Sequence, residues 1–167
     1  MNRKGYTMIE LSIALIILAI ISVIAMIAIA NSMRAMSISN AANKLATDLT
    51  FAQSLAAAAG QWYGVSVEVS PLDQYTVFVT TGTADSTVDN PGKRGSPMVI
   101  NLKNDYGVSI SSVNIAGGNK VAFNPIGTPY NNKSGSALAA EGVITISKDL
   151  TSRTVRITPN TGRIYIQ

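Results

Sequence analysis

The chain has 167 residues with 13 basic and 9 acidic side chains, a net charge of +4, and neither cysteine nor histidine. This excludes disulfide frameworks, Cys/His zinc sites, c-type haem attachment, cysteine nucleophiles and every catalytic arrangement built on histidine. Charged residues make up 13% and apolar residues 47%, about half the usual charge fraction, so part of the chain is expected in lipid or in a protein core.

The charge is unevenly placed. The first thirty residues hold Arg3, Lys4 and Glu10; residues 31–119 hold five basic and six acidic groups; residues 120–167 hold six basic and two acidic groups. The excess lies in the last third, where it suits either an anionic partner or a solvated face.

The first element is the run Leu11–Ala30, twenty residues without a charge and with only Ser12 and Ser22 polar. About twenty apolar residues cross a bilayer as a helix. Arg3 and Lys4 precede the run, which places the N-terminus in the cytoplasm and the residues beyond the span outside. Two plain readings compete: a signal anchor, and a cleaved secretory signal. The run is longer than a usual signal core, although Ala28-Ile29-Ala30 resembles a cleavage site. Glu10 fits neither reading. A carboxylate at the edge of hydrocarbon costs up to a few kcal/mol and calls for a named partner.

The octet Lys4-Gly5-Tyr6-Thr7-Met8-Ile9-Glu10-Leu11, followed by the apolar run, resembles the class III signal of type IV pilins and type II secretion pseudopilins. The resemblance implies cleavage by a prepilin peptidase between Gly5 and Tyr6, on the cytoplasmic side, and N-methylation of Tyr6. Tyr6 stands where phenylalanine is commoner, and Met8 where leucine is usual; neither changes the chemistry. Cleavage would leave a cationic amine at Tyr6, close to Glu10. In a filament the Glu10 carboxylate of one subunit can meet the amine of its neighbour. Desolvation offsets much of the attraction in low dielectric, so the pair serves register: a misdocked subunit leaves a bare charge in an apolar bundle.

Asn31–Ala59 has no proline or glycine. Met33, Met36, Leu45, Leu49, Ala52, Leu55, Ala56 and Ala59 recur at three- and four-residue steps, the pattern of an amphipathic helix. Arg34, Asn43, Lys44, Asp48 and Gln53 fall among its polar positions, and Gly60 is a natural stop. No breaker separates this stretch from the apolar run, so one helix from about Thr7 to Ala59 is expected, roughly 80 Å long at 1.5 Å per residue. Many major pilins carry a proline in the membrane half; this chain has none there.

From residue 61 the period changes to two. Val65, Val67 and Val69 alternate with polar residues, Pro71-Leu72-Asp73 makes a turn, and Tyr75–Val79 completes a hairpin. A long loop is expected over Thr81–Pro97, further strands over Met98–Lys103, Val108–Ile115 and Lys120–Phe123, and mostly loop over Asn124–Ala140. Val143–Ser147, Thr154–Thr158 and Arg163–Ile166 close the chain. Seven or eight short strands and one helix make an α+β protein, its helix covering one face of an antiparallel sheet. The expected organisation is a leader (1–5), a transmembrane and filament-core half-helix (6–30), an amphipathic half-helix (31–60) and a β-rich head (61–167).

The second half narrows the resemblance. Phe123-Asn124-Pro125-Ile126-Gly127 is similar to an F-x-P-x-G element of the GspH/FimT-like minor pseudopilins. Gly142–Ile146, Arg153–Ile157 and Gly162-Arg163-Ile164 are similar to that family's ending, and Gln53 stands where the family's helix end has arginine. The resemblance implies a structural subunit of a type IV pilus or type II secretion pseudopilus, not an enzyme. Its partners would be the prepilin peptidase, other pilins in a helical filament and the inner membrane, with a periplasmic head; no cofactor or metal is implied.

One alternative concerns the last hairpin. By alternation Arg156, Arg163 and Tyr165 share a face, and with Arg153 they offer a basic-aromatic patch able to grip phosphates and stack on a base. Some family members serve DNA uptake and end in Gly-Arg-x-Arg; here the second arginine is Tyr165. The plainer reading is a strand edge protected by charge. Gly92-Lys93-Arg94-Gly95-Ser96 lacks phosphate-loop spacing. Asp85, Asp89 and Asn90 are too few acids for a good calcium site. Asn132-Lys133-Ser134 is a glycosylation sequon by pattern only, and Trp62 reads as a core or hinge residue.

Overall fold

A computed structural model describes residues 7–167, which fall into two compact units, one ending at Met36 and one spanning Ser37–Gln167. Helix α1 (Met8–Ala59) runs through both. Thr7 opens it: its hydroxyl accepts from the Glu10 amide at 3.3 Å, and its carbonyl accepts from the Leu11 amide at 3.2 Å. Thr-x-x-Glu is a helix-start signature. Ser12 and Ser22 direct their hydroxyls to carbonyls one turn back, so the apolar run shows no unmet side-chain hydroxyl. α1 stops at Gly60, which takes φ +63 as a left-handed C-terminal residue does.

Burial on α1 begins at Ile38. Ile38, Ala41, Ala42, Leu45, Leu49, Ala52 and Ala56 form a buried stripe at three- and four-residue steps. Met33, Met36 and Ala59, expected in that stripe, are exposed. Asp48, expected among the solvated positions, lies inside the stripe and is buried.

The head has twelve strands: β1 (Trp62–Glu68), β2 (Gln74–Thr80), β3 (Asp85–Thr87), β4 (Asp89–Asn90), β5 (Lys93–Pro97), β6 (Val99–Asn101), β7 (Ser109–Asn114), β8 (Lys120–Phe123), β9 (Pro129–Tyr130), β10 (Gly142–Lys148), β11 (Thr151–Ile157) and β12 (Ile164–Ile166). They form a six-stranded sheet in the order β3-β2-β1-β8-β9 with β6 beside β2, a four-stranded sheet β12-β11-β10-β7, and the pair β4-β5. Every pairing is antiparallel. The hairpin β1–β2 sets Val65 opposite Val77 and Val67 opposite Tyr75. In the second sheet Ile144 faces Val155, and Gly142 faces Ile157. These inward residues, with the α1 stripe, make one buried apolar core. A fully buried aliphatic side chain contributes about 1.5–3 kcal/mol, which explains why the two-residue period is so clean here.

Three expectations change. The head has two main sheets, not one. The stretch 81–97 is not a plain loop, because it carries β3, β4 and β5; its glycines and prolines hid strands only two to five residues long. The strand expected over Met98–Lys103 ends at Asn101, and helix α2 (Leu102–Tyr106) comes next. The Asn101 side chain caps α2 by accepting from the Asn104 amide at 2.8 Å, and Gly107 closes it in the left-handed region. A local cap outcompetes the strand pattern over five residues.

Candidate functional site

Gly5 and Tyr6, the residues of the expected cleavage and methylation, lie outside the described residues. Glu10 is described: it sits in the first turn of α1 and is exposed. A carboxylate there also favours the positive end of the helix dipole, a local role beside the expected one in register. Beyond it Leu11, Ile16, Leu18 and Ile24 are 55–65% exposed, an all-round apolar surface without a core-facing stripe.

The last hairpin keeps its alternation. Val155 and Ile157 are fully buried, and β11–β12 sets Arg156 opposite Tyr165 on the other face. The expected patch is nonetheless divided. Arg153 shares the parity of Val155 and Ile157 and pairs with buried Ile146, so it stands on the opposite face from Arg156. Between Arg156 and Tyr165 stands a carboxylate that the strand alternation does not reveal. Glu141 accepts from Arg156 Nη1 at 2.9 Å and from the Tyr165 hydroxyl at 2.8 Å. Those two bonds hold the Glu141 carboxyl below its ordinary value, and the same carboxylate raises the Tyr165 hydroxyl. Arg163 is exposed, its guanidinium 6.0 Å from the Tyr165 ring. A phosphate approaching this face meets an arginine and a tyrosine already bound to an acid. Glu141 lies 15 and 24 positions from its partners, so no local pattern marks it.

A second cluster ties the two family-like stretches to the helix. Gln53 Nε2 donates to the Gly127 carbonyl at 2.9 Å and to the Thr161 carbonyl at 3.3 Å. Asn124 shapes the loop that carries Gly127: its Oδ1 accepts from the Ile126 and Thr128 amides. Gly162 takes φ +64, and a Cβ there would lie 2.5 Å from the Gly127 carbonyl and 2.6 Å from Gln53 Nε2. Only glycine lets the final turn, the Phe123–Gly127 element and α1 meet so closely. Where the family's helix end has arginine, glutamine makes the two carbonyl contacts without adding a charge.

Deeper in the head, Tyr75 donates to Asp48 Oδ2 at 2.6 Å, and Lys44 holds Asp48 Oδ1 at 2.7 Å. Burial, then the Asp48 carboxylate, pushes the Tyr75 hydroxyl far above its ordinary value, so it stays a donor. On the outer side, Lys120 pairs with Asp85 at 2.7 Å and lowers its carboxyl. Asp85 is thus occupied by a lysine, and Asn90 Oδ1 by the Gly92 amide. No group of three His, Cys, Asp or Glu gathers in metal-binding distance among the described residues. Trp62 meets Tyr130 edge to face at 4.9 Å.

A long apolar N-terminal helix carrying an antiparallel β head is the pilin-like architecture, and the solved structures agree. The minor pseudopilin EpsH from the type 2 secretion system of Vibrio cholerae superposes with a TM-score of 0.56 at 13% identity, covering 78% of this chain and 96% of that one. The type IV minor pilin FimU of Pseudomonas aeruginosa superposes at 0.51 and 15% identity, covering 78% and 87%. Identities this low speak for the fold. Residues 41–162 match the family of type II transport protein GspH, and residues 1–29 match the prokaryotic N-terminal methylation motif. The chain belongs to the GspH family. It is a minor pilin or pseudopilin, a structural subunit of a type IV pilus or type II secretion system, with a motif for prepilin peptidase processing. No curated protein sequence matches it.

Proposed function

We propose that the subunit enters the inner membrane as a precursor with its N-terminus in the cytoplasm and its head in the periplasm. Prepilin peptidase then cuts it between Gly5 and Tyr6, and Tyr6 is N-methylated. The mature chain joins a filament through the apolar part of α1, where Glu10 meets the terminal amine of a neighbouring subunit and sets the step between subunits. The observation that carries this reading is the pairing of an exposed Glu10 in the first turn with an unbroken exposed apolar helix behind it. A stranded carboxylate is costly in hydrocarbon unless a cation meets it, and processing at Tyr6 creates a cation nearby.

The test is an intact mass and an N-terminal sequence of the protein extracted from membranes of cells that contain a prepilin peptidase. Residues 1–5 missing and one methyl group on Tyr6 are expected. Retention of Met1–Gly5, or a cut after Ala30, would end this reading.

A further inference from the structure

The four-stranded sheet ends in an open edge at β12. Thr154 and Gln167 exchange both backbone bonds at 2.9 Å, and Thr158 donates to the Arg163 carbonyl at 2.9 Å. Antiparallel ladders alternate, so Arg163, Tyr165 and Gln167 turn their backbone groups toward β11. Ile164 and Ile166 turn theirs away, and no strand pairs on that side among the described residues. Each offers one N–H and one C=O on the open side, one ladder repeat apart.

Beside Ile164 runs a groove of about 420 Å³ whose far wall is α1, lined by Asn43, Ala46, Thr47, Thr50 and Phe51. Ile164, Ile166 and Phe51 are only half-buried. Most of the groove's helix residues are small. A short edge strand bearing charge is a common way to prevent sheet pairing, but such an edge does not need a partly apolar groove alongside it. The two features together fit an added strand: its backbone pairs with Ile164 and Ile166 while its alternate side chains drop into the groove.

Charge selects the remaining side chains. On the other face of β12 stands the exposed Arg163, stacked near Tyr165. The carboxylate at this site, Glu141, pairs with Arg156 and Tyr165 rather than with Arg163. Residues 120–167 hold six basic groups against two acidic ones. An incoming strand that places acidic residues opposite Arg163 completes what the chain leaves open.

We propose that the β12 edge and the groove beside it bind, by strand addition, an extended segment of a partner protein that alternates apolar and acidic side chains. This goes beyond assembly through the apolar part of α1 and rests on residues 37–167 alone.

The experiment uses the isotope-labelled full chain in detergent micelles and, as probe, a synthetic nine-residue peptide alternating valine and glutamate. Saturable amide shifts are expected at residues 164–167 and along residues 43–54. Two N-methylated forms of the probe test the ladder. Methylating the amides that face β12 weakens binding at least tenfold, whereas methylating the alternate set leaves it within about twofold, since those amides point to solvent. Arg163→Glu weakens the valine-glutamate probe and favours a valine-lysine one; the Arg163 side chain is exposed, so the head stays folded. The proposal falls if no saturable shift occurs at millimolar peptide, if both methylated probes lose binding equally, or if the shifts map elsewhere. It also falls if residues 164–167 shift with protein concentration alone, since the edge would then take a second copy of this chain.

Discussion

Residues 8–36 and residues 37–167 are both rich in aliphatic side chains, and they place them in opposite surroundings. In the first unit Ile16, Leu18 and Ile24 are 59–65% exposed; in the second Leu45, Leu49, Ile144 and Ile157 are 0% exposed. The first unit has the higher apolar content, and the arrangement of its apolar residues differs as well. Leu11–Ala30 is apolar all round, which suits lipid or a helix bundle. From Ile38 the apolar residues shrink to a stripe, and the strands alternate, because each of those elements has one wet face and one dry face. The angular distribution of apolar residues thus adds to their content in identifying the surroundings of each segment.

Leu49→Ala should destabilise the head by about 2–5 kcal/mol, the cost of a cavity in a packed core. Leu18→Ala, the same chemical change in the other unit, should leave head unfolding in detergent unchanged. Denaturant titration of both variants decides the matter; equal losses would mean that the two units share a core.

Ile17→Arg tests the first unit by its own solvent. An arginine mid-span costs about 3 kcal/mol of membrane insertion. Fractionation should find a marked loss from the membrane, while the head keeps its unfolding midpoint. Full membrane recovery would show that this run does not sit in lipid.

A smaller effect probes the one polar intrusion into the stripe. Tyr75→Phe leaves buried Asp48 Oδ2 without its donor, at a cost of about 1–3 kcal/mol. The double variant with Asp48→Asn should recover part of that loss, since it removes the charge. No recovery would assign the cost to ring packing instead.

The smallest effect is a matter of pH. Lys120 lowers the Asp85 carboxyl, so this surface pair contributes fully above the ordinary carboxylate range and loses its contribution as pH falls through the lowered value. Both side chains are about 40% exposed, so the contribution is about 0.5 kcal/mol after screening. Lys120→Gln should therefore lower head stability slightly at neutral pH and flatten its acid dependence. An unchanged acid limb would show that the pair contributes nothing in solution.

Much of this protein is local in origin, and that part is legible in its residues. The apolar run, Thr7 and Glu10 at the helix start, Gly60 at its end, the β1–β2 hairpin and the outward Arg156 and Tyr165 arise from the periods of helix and strand and from capping chemistry. Each involves residues within a few positions of one another, where geometry leaves little choice. α2 was legible too, in Asn101 and Gly107, but the adjoining strand pattern masked its cap.

The meetings between distant segments depend on how the chain folds back on itself. Asp48 reads as a solvated helix residue until Tyr75 arrives above it. Gln53 reads likewise until Gly127 and Thr161 present their carbonyls. The basic hairpin reads as a free patch until Glu141 comes to lie between Arg156 and Tyr165. The physical reason is common to all of them. A polar side chain's partner is whatever group the fold brings within hydrogen-bond distance, and sequence separation carries no information about that distance once the chain has folded back on itself.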